Sequence, residues 1–147
     1  MTFQFDKLTN KSQSLLLDAE SRAGARQNPE IVPLHLLDAM LNESEGIMRP
    51  MLDAMSVDVP KLTELVEVEL DRLPKAVGGS KANISAELQA LLDFASSSAA
   101  DLGDEYVSAE HLVLGLSNTE GKAQSLLKLM GITSKDVKAA MEKLRGS

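Results

Sequence analysis

Two histidines are the residues of this chain best suited to chemistry, and they lie in similar surroundings. His35 belongs to the stretch PLHLLDAML and His111 to the stretch AEHLVLGLS. An imidazole can bind a metal or act as a general base, but a metal site needs further ligands at suitable spacing. The chain has no cysteine and no H-x-x-x-H pair, and it lacks a nucleophile elbow with a glycine-rich oxyanion turn. We therefore predict structural roles for His35 and His111, with no catalytic residue and no metal site.

Nucleotide chemistry is equally unsupported. The pattern G-x-x-x-x-G-K-[ST] does not occur, and the stretch GGSK at Gly78–Lys81 lacks the leading spacing and the strand-to-helix setting of a phosphate-binding loop. We expect that this chain neither hydrolyses ATP nor carries a cofactor.

Composition narrows the range of partners. A chain of 147 residues with 44% apolar residues can bury a compact core. Its net charge of −7 repels phosphate backbones and anionic membranes, and its 3% aromatic content offers few surfaces for base stacking. No apolar run approaches the roughly 20 residues that span a bilayer, and the N-terminus has no signal-peptide pattern. We expect a cytoplasmic protein that binds neither nucleic acid nor membrane.

The two histidines have similar surroundings because the sequence contains two copies of one repeat unit. A shift of 76 residues superposes His35 on His111, Gln13 on Gln89, Leu16 on Leu92 and Ala19 on Ala95. After one deletion near Ser44 the shift becomes 75, and it superposes Gly46 on Gly121, Met55 on Met130 and Glu67 on Glu142. Such duplication accounts for paired histidines without an active site. We place the first repeat at about 8–73, a linker at about 74–83 and the second repeat at about 84–146.

Each repeat reads as four helices, because leucine and alanine recur at three- and four-residue spacing. Thr9 and Ser85 are the predicted N-caps of the first and fifth helices. The second and sixth helices, 34–41 and 109–116, are apolar on nearly every side and should be central. A third short helix follows Gly46 or Gly121, and a fourth begins at Asp58 or Thr133. The predicted fold class is an all-α, pseudo-twofold duplicated four-helix repeat, with eight helices in one compact domain.

Pro74 and the Gly78-Gly79-Ser80 run mark the connection between the repeats. A glycine, Gly146, follows the last predicted helix, as is common where a linker opens, and we therefore expect that the chain is part of a longer protein. Five methionines, Met48, Met51, Met55, Met130 and Met141, fall on helix faces and are predicted to fill the core.

A duplicated unit that opens with LTNKSQSLLLDA, continues through PLHLLDAML and is joined by RLP…GG to a second copy resembles the N-terminal domain of ClpB-type AAA+ disaggregase chaperones. The resemblance covers essentially the whole chain. It implies a module that binds exposed hydrophobic segments of unfolded or aggregated clients and passes them to AAA+ rings elsewhere in a hexameric parent. ATP and magnesium would then belong only to those ATPase modules, and the N-terminal domain by itself would be monomeric. The alternative is an adaptor-docking domain of a ClpA- or ClpC-type unfoldase.

The resemblance also implies particular client contacts. A threonine at the position of Thr9 and acidic residues at the positions of Asp104 and Glu110 are associated with substrate handling in that family. Apolar residues of the first and fifth helices, including Phe94 by position, are expected to line a groove between the halves. Each residue also has a simpler local role, because Thr9 can cap a helix, Glu110 suits a helix N-terminus and Asp104 lies in a polar loop.

Overall fold

The computed structural model describes residues 4–78 and 81–145, and eight α-helices dominate this part of the chain. The first unit contains α1 (Asn10–Ala25), α2 (Pro33–Leu41), α3 (Met48–Ala54) and α4 (Val59–Asp71). The second contains α5 (Ala86–Asp101), α6 (Ala109–Asn118), α7 (Lys122–Leu129) and α8 (Ser134–Leu144). The all-α, eight-helix fold class is confirmed. Gly79 and Ser80 of the predicted linker, and the terminal Gly146, lie outside the described residues.

Helix starts follow the predicted capping residues. Thr9 Oγ1 accepts a hydrogen bond from the Ser12 backbone N–H at 3.1 Å, and Ser85 Oγ accepts one from the Leu88 N–H at 3.0 Å. These bonds satisfy amides that a helix leaves unpaired at its N-terminus. α4 and α8 begin in the same way, with Asp58 and Thr133 as their N-caps.

The helices pack with the same pseudo-twofold relation that the repeat predicts. α1 packs on α2 as α5 packs on α6, and α2 packs on α4 as α6 packs on α8. The two units also contact each other reciprocally, since α1 touches α6 and α2 touches α5. One continuous core results, with α2 and α6 at its centre, where all of α2 and most of α6 are buried.

Two short parallel strand pairings join the units, and the sequence did not predict them. Strand β1 (Glu30–Ile31) pairs with β2 (Asn83–Ile84), so that Ile31 lies opposite Ile84. Leu8, which follows a short 3-10 helix at Phe5–Lys7, forms an isolated parallel bridge with Val107. Leu8 is the repeat counterpart of Ile84, and Ile31 that of Val107. The segment before the first helix of each unit therefore pairs with the other unit, in the loop between that other unit's first and second helices.

The core is filled by leucine, alanine and methionine. Met48, Met51 and Met141 are buried, and Met55 and Met130 are partly buried against the same cluster, as predicted. Within the described residues no helix combines the length and the apolar character needed to cross a membrane.

Candidate functional site

Both histidines lie in the first turn of a central helix and hold the same two kinds of contact. His35 Nδ1 accepts a hydrogen bond from the Val32 backbone N–H at 2.9 Å, and His35 Nε2 lies 2.8 Å from Asn28 Oδ1. His111 Nδ1 accepts from the Ser108 N–H at 2.9 Å, and its Nε2 lies 2.9 Å from Asp104 Oδ2. Each ring thus ties the start of its helix to the loop that precedes it.

The backbone donors determine the tautomer of each ring. A nitrogen that accepts from an amide N–H carries no proton, so the neutral imidazole bears its hydrogen on Nε2. Nε2 then donates to Asn28 in the first unit and to Asp104 in the second. Burial, together with the positive charge of Arg26, lowers the pKa of His35 to about 4, so the neutral ring is strongly preferred.

Asp104, Glu110, His111 and Arg145 meet at one end of the second unit, and we call this group the acidic corner. The Arg145 guanidinium donates to Asp104 Oδ2 at 2.7 Å and, through Nε, to Glu110 Oε1 at 3.0 Å. The hydrogen bond from Arg145, followed by the one from His111, lowers the pKa of Asp104, while the two carboxylates raise the pKa of Arg145. The structure therefore brings Asp104 and Glu110 together around a cation that the sequence analysis did not assign.

Three potential metal-ligand atoms of the acidic corner, from Asp104, Glu110 and His111, lie within 4.8 Å of one another. The guanidinium of Arg145 already pairs with both carboxylates, and the remaining nitrogen of His111 is used by the Ser108 amide. A metal would have to displace Arg145 and reverse the tautomer of His111. The arrangement has the form of an ion-pair network rather than a coordination shell.

Thr9 and Phe94 lie outside the acidic corner. Thr9 is half-buried as the N-cap of α1, and its backbone N–H donates to Val107 O at 3.0 Å, which connects it to the loop that carries Asp104. Phe94 lies in the middle of α5 and is partly buried against the core. Among the hydrogen bonds and ion pairs of the described residues, none joins Thr9 or Phe94 directly to Asp104 or Glu110.

A groove of about 350 Å³ lies between α1, the β1–β2 pair and the first turn of α5, and we call it the inter-unit groove. Its apolar floor is made by buried side chains, namely Leu16, Ile31, Ala82 and Leu88. Three large apolar side chains on its rim stay exposed: Phe5 at 45%, Leu17 at 57% and Ile84 at 47%. A groove between the halves was expected, but Phe94 is not among the residues that line it.

Sequence reasoning missed the three rim residues. The signal for Leu17 is present in the sequence, because Leu15, Leu16 and Leu17 are consecutive and a helix can direct only part of such a run into the core. Phe5 and Ile84 give no comparable signal, because their exposure depends on how the leading segments pair across the units.

The sequence and fold match a known family and its members. The model of the Clp repeat (R) N-terminal domain matches residues 7–130. The chaperone protein ClpB of Rhodopirellula baltica is 46% identical over 147 residues, all of this chain but 17% of that protein. ClpB of Mycobacterium bovis is 38% identical over 140 residues, 95% of this chain and 16% of that protein. The chain thus spans about a sixth of the length of these curated relatives.

Solved structures share the fold at lower identity. The Hsp104 N-terminal domain from Candida albicans superposes with a TM-score of 0.85 at 20% identity, covering 96% of this chain and 93% of that one. The ClpV N-domain in its complex with a VipB peptide gives a TM-score of 0.70 at 22% identity, covering 91% and 84%. At such identities the likeness establishes the common architecture.

Proposed function

The chain belongs to the Clp N-terminal domain family, in the form found in ClpB chaperones, and from this premise we propose that it is the substrate-interaction domain of an ATP-dependent protein disaggregase. It binds exposed hydrophobic segments of unfolded or aggregated proteins and passes them to an AAA+ ring. In this proposal ATP and magnesium are used only by the ATPase modules of a hexameric parent, and the domain itself supplies recognition.

The inter-unit groove is the observation that supports client binding most strongly. Phe5, Leu17 and Ile84 surround a common depression, and all three remain about half exposed there. Clusters of exposed apolar side chains on a soluble domain commonly mark binding surfaces. An unfolded chain offers short apolar segments of many sequences, so a shallow groove with few directional contacts suits a general receptor.

Polar contacts around the domain would hold the flanks of a client. We retain Thr9, Asp104 and Glu110 as proposed client contacts, with Phe94 as an additional apolar one. Asp104 and Glu110 already bind Arg145, so a basic group of a client would exchange with that guanidinium. Affinity should be weak, with a dissociation constant from roughly micromolar to millimolar, because ordering a flexible client opposes binding.

Titration of isotope-labelled domain with a permanently unfolded, alkylated protein tests this proposal. Amide shifts should cluster around the inter-unit groove, and Leu17→Ser and Ile84→Ser should each weaken binding by at least about threefold as apolar contact is lost. Leu129→Ser is the matched control, since Leu129 is 70% exposed on α7 and does not line the groove. Equal binding by all three variants would refute the assignment of the groove.

The acidic corner keeps a second candidate function open. A surface formed by the charged side chains of Asp104, Glu110 and Arg145 suits a folded adaptor protein better than an unfolded client, as expected of the N-domains of ClpA- or ClpC-type unfoldases. In the same titration, Phe94→Ala and Glu110→Gln separate the two functions. Client binding should fall with Phe94→Ala, without loss of folding, and also with Glu110→Gln, whereas docking of a folded adaptor should fall with Glu110→Gln alone.

A further inference from the structure

The second unit contains a groove that its counterpart in the first unit fills with arginine. This groove, which we call the α8 groove, has a volume of about 260 Å³ and lies between α5, α6 and α8. Its apolar lining comes from Leu102, Leu114 and Met141, and its acidic groups are Asp101 and Glu142. Lys138, Arg145 and Ser98 complete the lining.

The equivalent space in the first unit is bridged by two arginines, Arg22 in α1 and Arg26 as its C-cap. Arg22 donates to Asp38 of α2 at 3.2 Å, and Arg26 donates to Glu67 and Asp71 of α4 at 2.7 and 2.8 Å. Both arginine side chains are largely covered, with 31% of Arg22 and 21% of Arg26 exposed. The first unit thus satisfies the carboxylates of its second and fourth helices with its own side chains.

The second unit has no arginine at these two repeat positions, but it has one of the acceptors. Ser98 stands at the repeat position of Arg22, Leu102 at that of Arg26, and Leu114 at that of Asp38. Glu142 is the repeat counterpart of Glu67, the carboxylate that receives Arg26. Among the described residues, no ion pair involves Glu142 or Asp101.

The backbone at the arginine position is also retained. Arg26 and Leu102 are both the C-cap residues of their helices, with φ values of −90° and −85° and ψ values near 0°. A guanidinium brought to the α8 groove from outside would therefore meet a helix end of the same backbone conformation and a glutamate that corresponds to Glu67, one of the two acceptors of Arg26.

We propose that the α8 groove binds an arginine side chain of an unfolded polypeptide, with its aliphatic part on Leu102, Leu114 and Met141 and its guanidinium on Glu142 and Asp101. This inference rests on the proposed function for the nature of the partner, and it names an additional site and a residue preference. Arginine suits the groove better than lysine, because a planar guanidinium packs on apolar surface and can reach two carboxylates at once. Lys138 and Arg145 also line the groove, but among the described residues neither forms an ion pair with Glu142, and Arg145 is held by Asp104 and Glu110.

Two short peptides test the proposal directly. One is an unstructured Gly/Ser peptide with a single arginine beside a leucine, and the other carries neutral citrulline in place of the arginine. In titrations of the labelled domain, the arginine peptide should shift the amides of Leu102, Leu114 and Met141. The citrulline peptide should bind there at least about threefold more weakly, because it lacks the charge that pairs with Glu142.

Three variants sharpen the assignment. Leu102→Arg supplies a guanidinium from within the chain, as Arg26 does, and should reduce binding of the arginine peptide to the level of the citrulline peptide. Because Leu102 is 52% exposed, the substitution should leave the fold intact. Glu142→Gln should weaken binding of the arginine peptide and leave binding of the citrulline peptide unchanged. Glu64→Gln, at an exposed carboxylate of α4, is the control and should change the binding of neither peptide.

Equal binding of the two peptides, or shifts confined to the acidic corner, would overturn the inference, and so would full binding by Leu102→Arg. The result also separates this proposal from the function on which it rests. If an arginine-free unfolded client binds at the inter-unit groove while the arginine peptide does not enter the α8 groove, only the inference fails. If the peptide binds and the client does not, the proposed function fails instead.

Discussion

The imidazole Nε2 of His35 lies 2.8 Å from Oδ1 of Asn28, and this pair recurs in the second unit as His111 and Asp104 at 2.9 Å. Asn28 and Asp104 are repeat counterparts, so the two units share the contact and differ only in whether its acceptor is an amide or a carboxylate. Each ring fixes the loop after the first helix of its unit to the start of the second helix. The structural role of both histidines stays a prediction, and these contacts are the interactions through which each ring would fulfil it.

Acid should destabilise the domain in the pH range where His35 takes up a proton on unfolding. The pKa of His35 is about 4 in the fold, against roughly 6.5 in an unfolded chain. Between these values the unfolded state binds more protons, so stability falls as pH decreases from about 6.5 to about 4, by at most about 1.4 kcal/mol per pH unit. Below that range the loss should level off for this residue.

Urea unfolding of the wild type and of His35→Gln across this range checks the expectation, since the variant should show a flatter dependence. Direct titration of the His35 ring by NMR gives its pKa in the folded state independently. The lowered pKa of Asp104 affects stability in a different pH range. Its contribution to stability is present above the carboxyl pKa of the unfolded chain and is lost in more acidic solution. Identical slopes for wild type and variant would contradict the role given to His35.

Removing either ring should cost stability without involving a metal. His35→Ala and His111→Ala should each lower the free energy of unfolding by about 1–3 kcal/mol, because each leaves a buried space and unpaired polar groups. Treatment of the wild type with EDTA should leave the melting temperature unchanged. A melting temperature that falls on chelation would instead favour a metal at the acidic corner.

The sequence predicted the helices and their starts because these depend on local signals. The spacing of apolar residues predicts which face of α5, including Leu91 and Leu92, is buried. Thr9 and Ser85 each accept a hydrogen bond from the backbone N–H three residues further along the chain. The strand pairings were not predicted, since the register of Leu8 against Val107 depends on how two units meet. Each strand has only two residues, which is too short for an alternating pattern that would indicate a sheet.

The candidate site was predicted only in part, for a related reason. Asp104 and Glu110 were chosen by family resemblance, and the structure shows them together around Arg145. Arg145 ends the last helix of the second unit, 35 residues after Glu110 in the chain, so only tertiary packing reveals the contact. The exposure of Leu17 likewise follows from which neighbours cover α1.

Gly115 allows α6 to approach α5 closely, and alanine should be too large there. A Cβ at this position would lie 3.0 Å from Cδ2 and 3.2 Å from the backbone oxygen of Leu91. Gly115→Ala should therefore destabilise the domain by about 1–3 kcal/mol, measured by urea unfolding. Gly24→Ala is the control, because Gly24 lies in α1 with open space around it and should gain up to about 1 kcal/mol from helix propensity. Equal effects of the two substitutions would refute the close approach.

Leu8 and Ile84 occupy equivalent repeat positions but differ in exposure. They should therefore contribute differently to stability and to client binding. Leu8 is 2% exposed and Ile84 is 47% exposed. Leu8→Ala should cost about 2–4 kcal/mol of stability through lost burial and a cavity, whereas Ile84→Ala should cost less than about 1.5 kcal/mol and should weaken client binding. Thermal unfolding and client titration of both variants check this division. A larger stability loss for Ile84→Ala would show that the rim of the inter-unit groove is part of the core.

Salt should distinguish the two kinds of recognition that we propose. Raising the salt concentration from about 0.05 M to about 0.5 M shortens the screening length from roughly 14 Å to roughly 4 Å, which weakens contacts between exposed charges. Binding of a neutral apolar peptide at the inter-unit groove should persist, because burial of Leu17 and Ile84 does not depend on charge. Binding of the arginine peptide at the α8 groove should weaken toward that of its citrulline partner, because Asp101 and Glu142 are exposed. Titrations at several salt concentrations measure both effects on one sample. If the neutral peptide lost its binding in high salt, the inter-unit groove would be misassigned, and docking of an adaptor through a polar surface would be the better account.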